Sequence, residues 1–364
     1  MADEAANREA FRILAHYCER MAAPIYARIC LALADGLTGA SRTGARILGW
    51  PGEPTRDALP LRTMGGLHAL VLAGADAELA AAFAGEAAAS EAVLARVFVE
   101  HDAALFPWLD GPPQTNEPGR SGGLILGLME VARRHGPKLE VLEIGSSVGL
   151  NLLIDRYRFE LGGIAVGPED APVTIRPEWR GPPPSAGPLE ITSTRGCDVQ
   201  PLDATDAAVE ARLAAYVWAE TPDRLARVRQ AIAMLRERAV RLDRADAADW
   251  VEARLAEPQP AGVTRVLMHS VVWQYLPPPV AERVSAAIRA ASLAATAERP
   301  LAWVAMEPDR ALAMQMVRVR SWPGDGAWHV VARTHAHGSW INTEPFDSDA
   351  ERIGLPDTAR VTVG

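Results

Sequence analysis

Residues 138–149 read KLEVLEIGSSVG, a short apolar run ending in a turn with two glycines four positions apart. The run has the length and character of a buried strand. Glycine at its end lets the backbone turn sharply and lets another segment or a ligand come close, because no β-carbon stands in the way. Downstream, Leu150, Leu153, Ile154, Tyr157 and Leu161 recur at i, i+3, i+4, i+7 and i+11, so the spacing predicts a helix after the turn. Strand, glycine turn and helix in this order form the repeating unit of a parallel α/β sheet.

The rest of the chain repeats the alternation. LILGLMEVARRHG reads as a helix closing at Gly136, just before the first strand. Residues 162–187 are rich in Pro and Gly and read as a loop excursion. PLEITSTRGCDVQPLD is a second strand ending in an acid, DRLARVRQAIAMLRERA a long helix, and AVRLDRADAADWV a third strand feeding a helix. TRVLMHSVV, PPVAERVSAAIRAASLAA, PLAWVAMEP and a last strand or hairpin around AWHVVARTHAHGSWI complete the series. Strands alternating with helices imply a parallel sheet covered on both faces. From Arg8 to Asp102 the text is instead rich in Ala and Leu at helical spacing, with Phe11, Leu14, Ala15 and Cys18 as one example. LDGPPQTNEPGRSGG cannot continue a helix and marks the boundary. The expectation is a helical domain over 1–110 and a mostly parallel α/β domain over 111–364.

Charge and cysteine usage narrow the function classes. A net charge of −9 at pI near 5.5 argues against a broad phosphate-binding surface, so nucleic acid is not an expected partner. The opening MADEAANREAFRILAHYCERM lacks the basic region, apolar core and cleavage site of a signal peptide. The most apolar stretch, LHALVLAGADAELAAAFAG, is interrupted by Asp76 and Glu78, so no membrane-crossing segment is expected. Cys18, Cys30 and Cys197 are too scattered for a disulfide framework or a four-ligand zinc site, which fits a reducing cytoplasm.

In open parallel sheets, ligands gather at the carboxyl ends of the strands near the point where strand order reverses. Gly145 and Gly149 sit at such an end, with the hydroxyls of Ser146 and Ser147 between them. The nicotinamide and flavin fingerprint G-x-G-x-x-G is absent. What stands there, E-x-G-x-x-x-G from Glu143, resembles the first motif of the Rossmann-like S-adenosylmethionine-dependent methyltransferases, with Ser147 in place of the usual third glycine. The resemblance implies that Glu143, Gly145, Ser146, Ser147, Gly149 and Asn151 hold the cofactor. It further implies that Asp198, at the end of the second strand, binds ribose hydroxyls, and that Asp246 with Ala247, at the third, binds adenine. At the fourth strand, His269 is the expected proton acceptor and Tyr275 the second choice, with Trp273 and Gln274 lining a substrate pocket. Each assignment has a plainer competitor. The glycines serve tight packing as well as ligand approach, Asp198 and Asp246 are equally suited to capping, His269 to a core hydrogen bond, and the aromatic rings to packing beneath a helix.

Six phrases, QTNEPGR at 114–120, LEIGSSVGLNLLIDRY at 142–157, RGCDVQPLD at 195–203, HSVVWQYLP at 269–277, MEP at 306–308 and HGSW at 337–340, together resemble the bacterial DUF2332 family. That resemblance implies a methyltransferase-like fold with a helical N-terminal region, and a small residue in the middle of the glycine turn looks like the family form. In the first phrase, Gln114, Asn116 and Glu117 offer donors and acceptors suited to an amino-acid moiety or a polar substrate. The expected function is methyl transfer from S-adenosylmethionine to a small molecule or protein. Two alternatives remain open from the residues. One is a binding or scaffold protein that keeps the fold without catalysis. The other is a serine hydrolase, since GSSVG fits G-x-S-x-G with Ser147 as nucleophile and His269 or His337 as its partner. His335 and His337 form H-x-H on an expected strand but lack a third ligand, so no metal is expected.

Overall fold

The computed structural model describes residues 3–87, 90–113, 115–309 and 314–345. Gln114 therefore lies outside the described residues. Helices α1 (Glu4–Arg20), α2 (Pro24–Gly36), α3 (Arg42–Leu48), α4 (Leu59–Leu72), α5 (Ala77–Phe83), α6 (Glu91–Glu100) and α7 (Asp102–Leu105) open the chain. They are followed by α8 (Ser121–His135), β1 (Lys138–Ile144), β2 (Arg158–Leu161), β3 (Ile164–Val166), β4 (Thr174–Ile175), β5 (Glu178–Arg180) and β6 (Glu190–Asp198). Next come α9 (Ala207–Ala215), α10 (Pro222–Glu237), β7 (Arg241–Arg244), α11 (Ala247–Ala256), β8 (Thr264–Ser270) and α12 (Pro278–Ser292). Strands β9 (Leu301–Asp309), β10 (Met314–Trp322), β11 (His329–Thr334) and β12 (Trp340–Asn342) close the series.

The chain divides into two compact units, Met1–Thr115 with Thr205–Arg229, and Asn116–Ala204 with Gln230–Gly364. The first is helical. Its amphipathic helices are started by side-chain caps, as at Asp76 and Ser90, whose oxygens accept the N–H groups of Leu79 and Val93. They bury one apolar cluster that includes Phe11, Tyr26, Leu33, Leu67 and Phe83. Trp218 belongs to that cluster, which is why the late segment Thr205–Arg229 folds with this unit. Among the described residues, no single helix is long and apolar enough to cross a membrane.

The second unit is α/β, with a large mixed sheet in the order β5-β12-β11-β10-β9-β8-β1-β6-β7. The run from β7 through β6, β1 and β8 to β9 is parallel, and β10, β11 and β12 continue it antiparallel. The chain builds outward from β1 through β6 to β7, then returns to β8 on β1's other side, so strand order reverses between β1 and β8. All seven residues of β8 are buried, as expected of a central parallel strand covered on both faces. Helix α8 covers one face. Gly127 lets it lie close, since a β-carbon there would come within 2.4 Å of Val304. On the other face, Trp250 and Val251 of α11 and Val284 and Ile288 of α12 pack with Leu142, Leu267, Leu301 and Trp303.

Beyond the grouping of Thr205–Arg229 with the helical unit and the added strand β10, three local features differ from the expectations drawn from sequence. No long helix succeeds the glycine turn; Leu150–Leu153 make a single 3-10 turn, and Arg158–Leu161 form a strand paired with β3 and β4. The periodic apolar residues are nevertheless all buried, so their spacing reported burial rather than helix. Residues 162–187 carry the short strands β3, β4 and β5 rather than a bare loop. His335 and His337 sit in the turn between β11 and β12, not on a strand, and the His337 N–H donates to His335 Nδ1 at 3.1 Å.

Candidate functional site

The glycine turn at the end of β1 is held in shape by its own backbone and by two neighbouring segments. Gly145, Ser147 and Gly149 all have positive φ, at 70°, 56° and 92°. Both glycines also face crowded surroundings: a β-carbon at Gly145 would lie 2.3 Å from Val272 Cγ2, and one at Gly149 would lie 2.8 Å from Val240 Cγ2. Packing alone therefore accounts for glycine at these positions. The Ser146 N–H donates to the Cys197 carbonyl at 3.0 Å, which ties the turn to the end of β6. The Ser147 N–H, presented by its left-handed backbone, donates to Asp198 Oδ2 at 2.9 Å.

Asp198 is the hub of the strand ends. Its Oδ1 accepts the Gln200 N–H at 2.9 Å, and its carbonyl accepts the Ala245 N–H at 3.0 Å. The next residue, Asp246, caps α11 by accepting the Ala248 and Asp249 N–H groups, and Ala247 is the buried first residue of that helix. Gly145, Ser147, Asp198 and Asp246 are all partly exposed, at or just beyond the ends of β1, β6 and β7.

Next to them lies a buried polar network. Asn116 spans the turn: its Nδ2 donates to the Ser146 carbonyl at 3.2 Å and its Oδ1 accepts the Leu150 N–H at 2.8 Å. Asn151 Oδ1 accepts the Ser121 hydroxyl at 2.9 Å, and its Nδ2 faces Ser270 Oγ at 3.5 Å. Glu143 sits among them. Burial pushes its carboxyl up to about 7, against the lowering effect of hydrogen bonds from Ser146 and Asn151, and Oε2 has no hydrogen-bond partner among the described residues. Glu117 accepts the Gly119 N–H and caps the short turn Pro118–Arg120. Arg120 in turn donates to the Ala336 carbonyl at 3.1 Å.

His269 points to the other face of the sheet, because successive strand residues alternate. Its Nδ1 lies 2.6 Å from Glu307 Oε1, which also accepts the N–H groups of Val272 and Trp273 at 3.1 and 3.2 Å. The imidazole is fully buried, with the Trp273 ring stacked on it at 5.2 Å, and Nε2 has no hydrogen-bond partner among the described residues. Gln274 and Tyr275 are exposed on the same short turn, Tyr275 at 65%. Ser147 Oγ is buried with no hydrogen-bond partner among the described residues, so no histidine is engaged with it as a hydrolase would require. In the helical unit, Asp76, Glu100 and His101 approach within 4.8 Å of one another, but Arg96 already bridges Asp76 and Glu100, which makes the cluster an ion-pair network.

The structure thus joins most of the residues singled out from sequence. Asn116 and Asp198 are linked to the turn by direct hydrogen bonds, Asn151 is bonded beside it to Ser121 and Ser270, and Asp246 lies one residue beyond a backbone bond to Asp198. His269 belongs to a separate set on the opposite face. Sequence reasoning passed over Glu307, although it lies in the MEP phrase, and Val272, which both packs on Gly145 and is held by Glu307. The sequence profile of a bacterial family described as an uncharacterized protein conserved in bacteria (DUF2332) matches residues 8–343. No curated protein and no solved structure matches the chain.

Proposed function

The chain belongs to the DUF2332 family, and from that premise we propose that it binds S-adenosylmethionine along the ends of β1, β6 and β7 and transfers its methyl group to a small molecule or protein. The observation that carries the reading is the partly exposed set Gly145, Ser147, Asp198 and Asp246, beside the reversal of strand order. The strand sequence from β7 through β6, β1 and β8 to β9, ending in an antiparallel strand, supports a Rossmann-like methyltransferase type of fold.

The donor set fits the group. Asp198 accepts two backbone N–H groups through different oxygens, which leaves lone pairs for ribose hydroxyls. Asp246 is assigned to the adenine, with Ala247 behind it. Glu143 offers an unpartnered buried carboxyl oxygen under the turn, suited to an ammonium or sulfonium charge. When bound, S-adenosylmethionine supplies an electrophilic methyl group. The chain's own task is alignment, plus removal of a proton from a neutral acceptor. Trp273 and Gln274, on the turn that follows β8, are assigned to the acceptor's side, and the net charge of −9 suits an acceptor other than nucleic acid.

One observation favours the non-catalytic reading, a binding or scaffold protein that keeps the fold: Val272 occupies the space over Gly145 where a ligand would make its closest approach. Thermal unfolding separates the two. Methyl transfer requires that S-adenosylmethionine or S-adenosylhomocysteine at millimolar concentration raise the Tm by several degrees, as binding to the native state alone must do. NAD and ATP serve as controls. An unchanged Tm with both adenosyl ligands sinks the cofactor assignment.

A further inference from the structure

The buried pair His269–Glu307 has more built around it than a core histidine needs. Glu307 Oε1 accepts the N–H groups of Val272 and Trp273 and lies 2.6 Å from His269 Nδ1, while Oε2 and His269 Nε2 are buried without hydrogen-bond partners among the described residues. A buried polar atom left unpaired costs free energy that the fold recovers only if something pairs with it at some stage. The segment that Glu307 grips is itself strained: Val271, a β-branched residue, has φ 52°, and its N–H is held by the Met306 carbonyl at 3.0 Å. Val272, the next residue, packs against Gly145 of the cofactor turn. The pair is thus coupled through one residue to the proposed methyl-donor site.

We propose that His269 and Glu307 form a proton-accepting dyad, in which Glu307 is the positioning residue that fixes the imidazole through Nδ1 and leaves Nε2 as the accepting atom. For its chemistry the dyad rests on the methyl-transfer reading. A lone pair of the acceptor's O–H or N–H group forms the new bond to carbon while the carbon–sulfur bond breaks, its electrons remaining on sulfur. The acceptor's proton passes to the Nε2 lone pair. The resulting imidazolium charge is set against the Glu307 carboxylate, and solvent water then takes the proton. This is the logic of a base oriented by a carboxylate on its far nitrogen. Two rings lie against the imidazole, Trp273 stacked at 5.2 Å and Trp303 at 5.9 Å, and access of an acceptor to Nε2 requires one of them to move aside.

The test reads Nε2 directly and needs no known acceptor. Nitrogen-15 NMR of the full chain labelled at histidine, with His269→Gln to identify the signals, is expected to show His269 protonated at Nδ1 and bare at Nε2 at pH 7.5. A proton on Nε2 overturns the proposal. Diethyl pyrocarbonate labelling read by peptide mass spectrometry then measures whether Nε2 is reachable and activated. His269 should be modified in folded wild-type protein, with a rate about 10-fold lower in Glu307→Gln and partly restored in Glu307→Asp. A Glu307 that only anchors the turn predicts an unreactive His269, or equal rates in every variant that keeps the wild-type Tm, and either result ends the proposal. Binding of S-adenosylhomocysteine, measured on the same samples, separates the two ideas. Its absence in wild-type protein defeats the cofactor assignment, whereas the NMR and labelling results decide the dyad.

Discussion

Two carboxyl groups stand at the ends of the strands that flank β8, Glu143 on β1 and Glu307 on β9, and the pleat sends them to opposite faces of the sheet. Both are almost wholly buried, and each has one oxygen without a hydrogen-bond partner among the described residues. Their surroundings differ in kind. Glu143 lies on the α8 face among hydroxyls and amides that chiefly brace one another, and burial raises its carboxyl to about 7. Glu307 accepts the N–H groups of Val272 and Trp273 on one oxygen that also lies 2.6 Å from Nδ1 of His269, a ring set against Trp273 and Trp303. Even β8 divides the same way, with Ser270 turned toward Asn151 and His269 toward Glu307. Equal burial therefore does not imply equal chemistry. The groups aimed at each carboxyl, and not its burial alone, set what it can do.

The substitution expected to break both sides at once is Gly145→Ala, because the turn touches the Glu143 network below and the Glu307-held Val272 above. Left-handed backbone and a β-carbon 2.3 Å from Val272 together predict a loss of about 3 kcal/mol, measured by urea unfolding. Glu143→Gln sharpens the contrast through pH. The folded state keeps the Glu143 proton up to about pH 7 while the unfolded state releases it near 4.5, so the folded state binds more protons in that window. Wild-type stability is expected to fall as pH rises from 4.5 to 7 and to level off above, a total of about 3 kcal/mol from this group. In Glu143→Gln that part of the pH dependence should vanish; an identical pH profile in the two proteins contradicts the assignment. Asn116→Ala removes two buried hydrogen bonds from the turn without touching the Glu307 side, and should cost about 2 kcal/mol while leaving His269 labelling unchanged. Asp246→Ala loses a helix cap outside both sets and should cost about 1 kcal/mol.

Much of this architecture is legible in the amino-acid sequence. The apolar run into Gly145 reads as the first strand because no helix of that length could bury itself, and the order of later strands comes from the alternation of apolar runs with helical spacing. The acids at the ends of the second and third strands are visible for the same reason. The segment after Gly149 is not legible in this way: Leu150, Leu153, Ile154, Tyr157 and Leu161 are all buried, and a buried non-helical segment carries the same apolar residues as a helix face. The Tyr157 hydroxyl donates to the Leu150 carbonyl at 2.7 Å and stabilises the compact turn that replaces the helix. Strand β10 escapes the pattern of alternating strands and helices because no helix separates it from β9, although MQMVRVRSW pairs along the whole length of β9. Thr205–Arg229 joins the helical unit through Trp218, a long-range contact that no local pattern encodes. Glu307 is the sharpest case. Its role depends on three groups from a segment 34 to 38 residues earlier in the chain, and sequence spacing holds no record of that convergence.

The central claim is that the ends of β1, β6 and β7 bind an adenosyl sulfonium ligand. Calorimetric titration of S-adenosylmethionine and S-adenosylhomocysteine into wild-type protein, Asp198→Ala and Asn116→Ala tests it most directly. The account predicts one saturable site per chain in wild-type protein, lost in folded Asp198→Ala and weakened in Asn116→Ala. Heats indistinguishable from dilution with folded wild-type protein at millimolar ligand would contradict it.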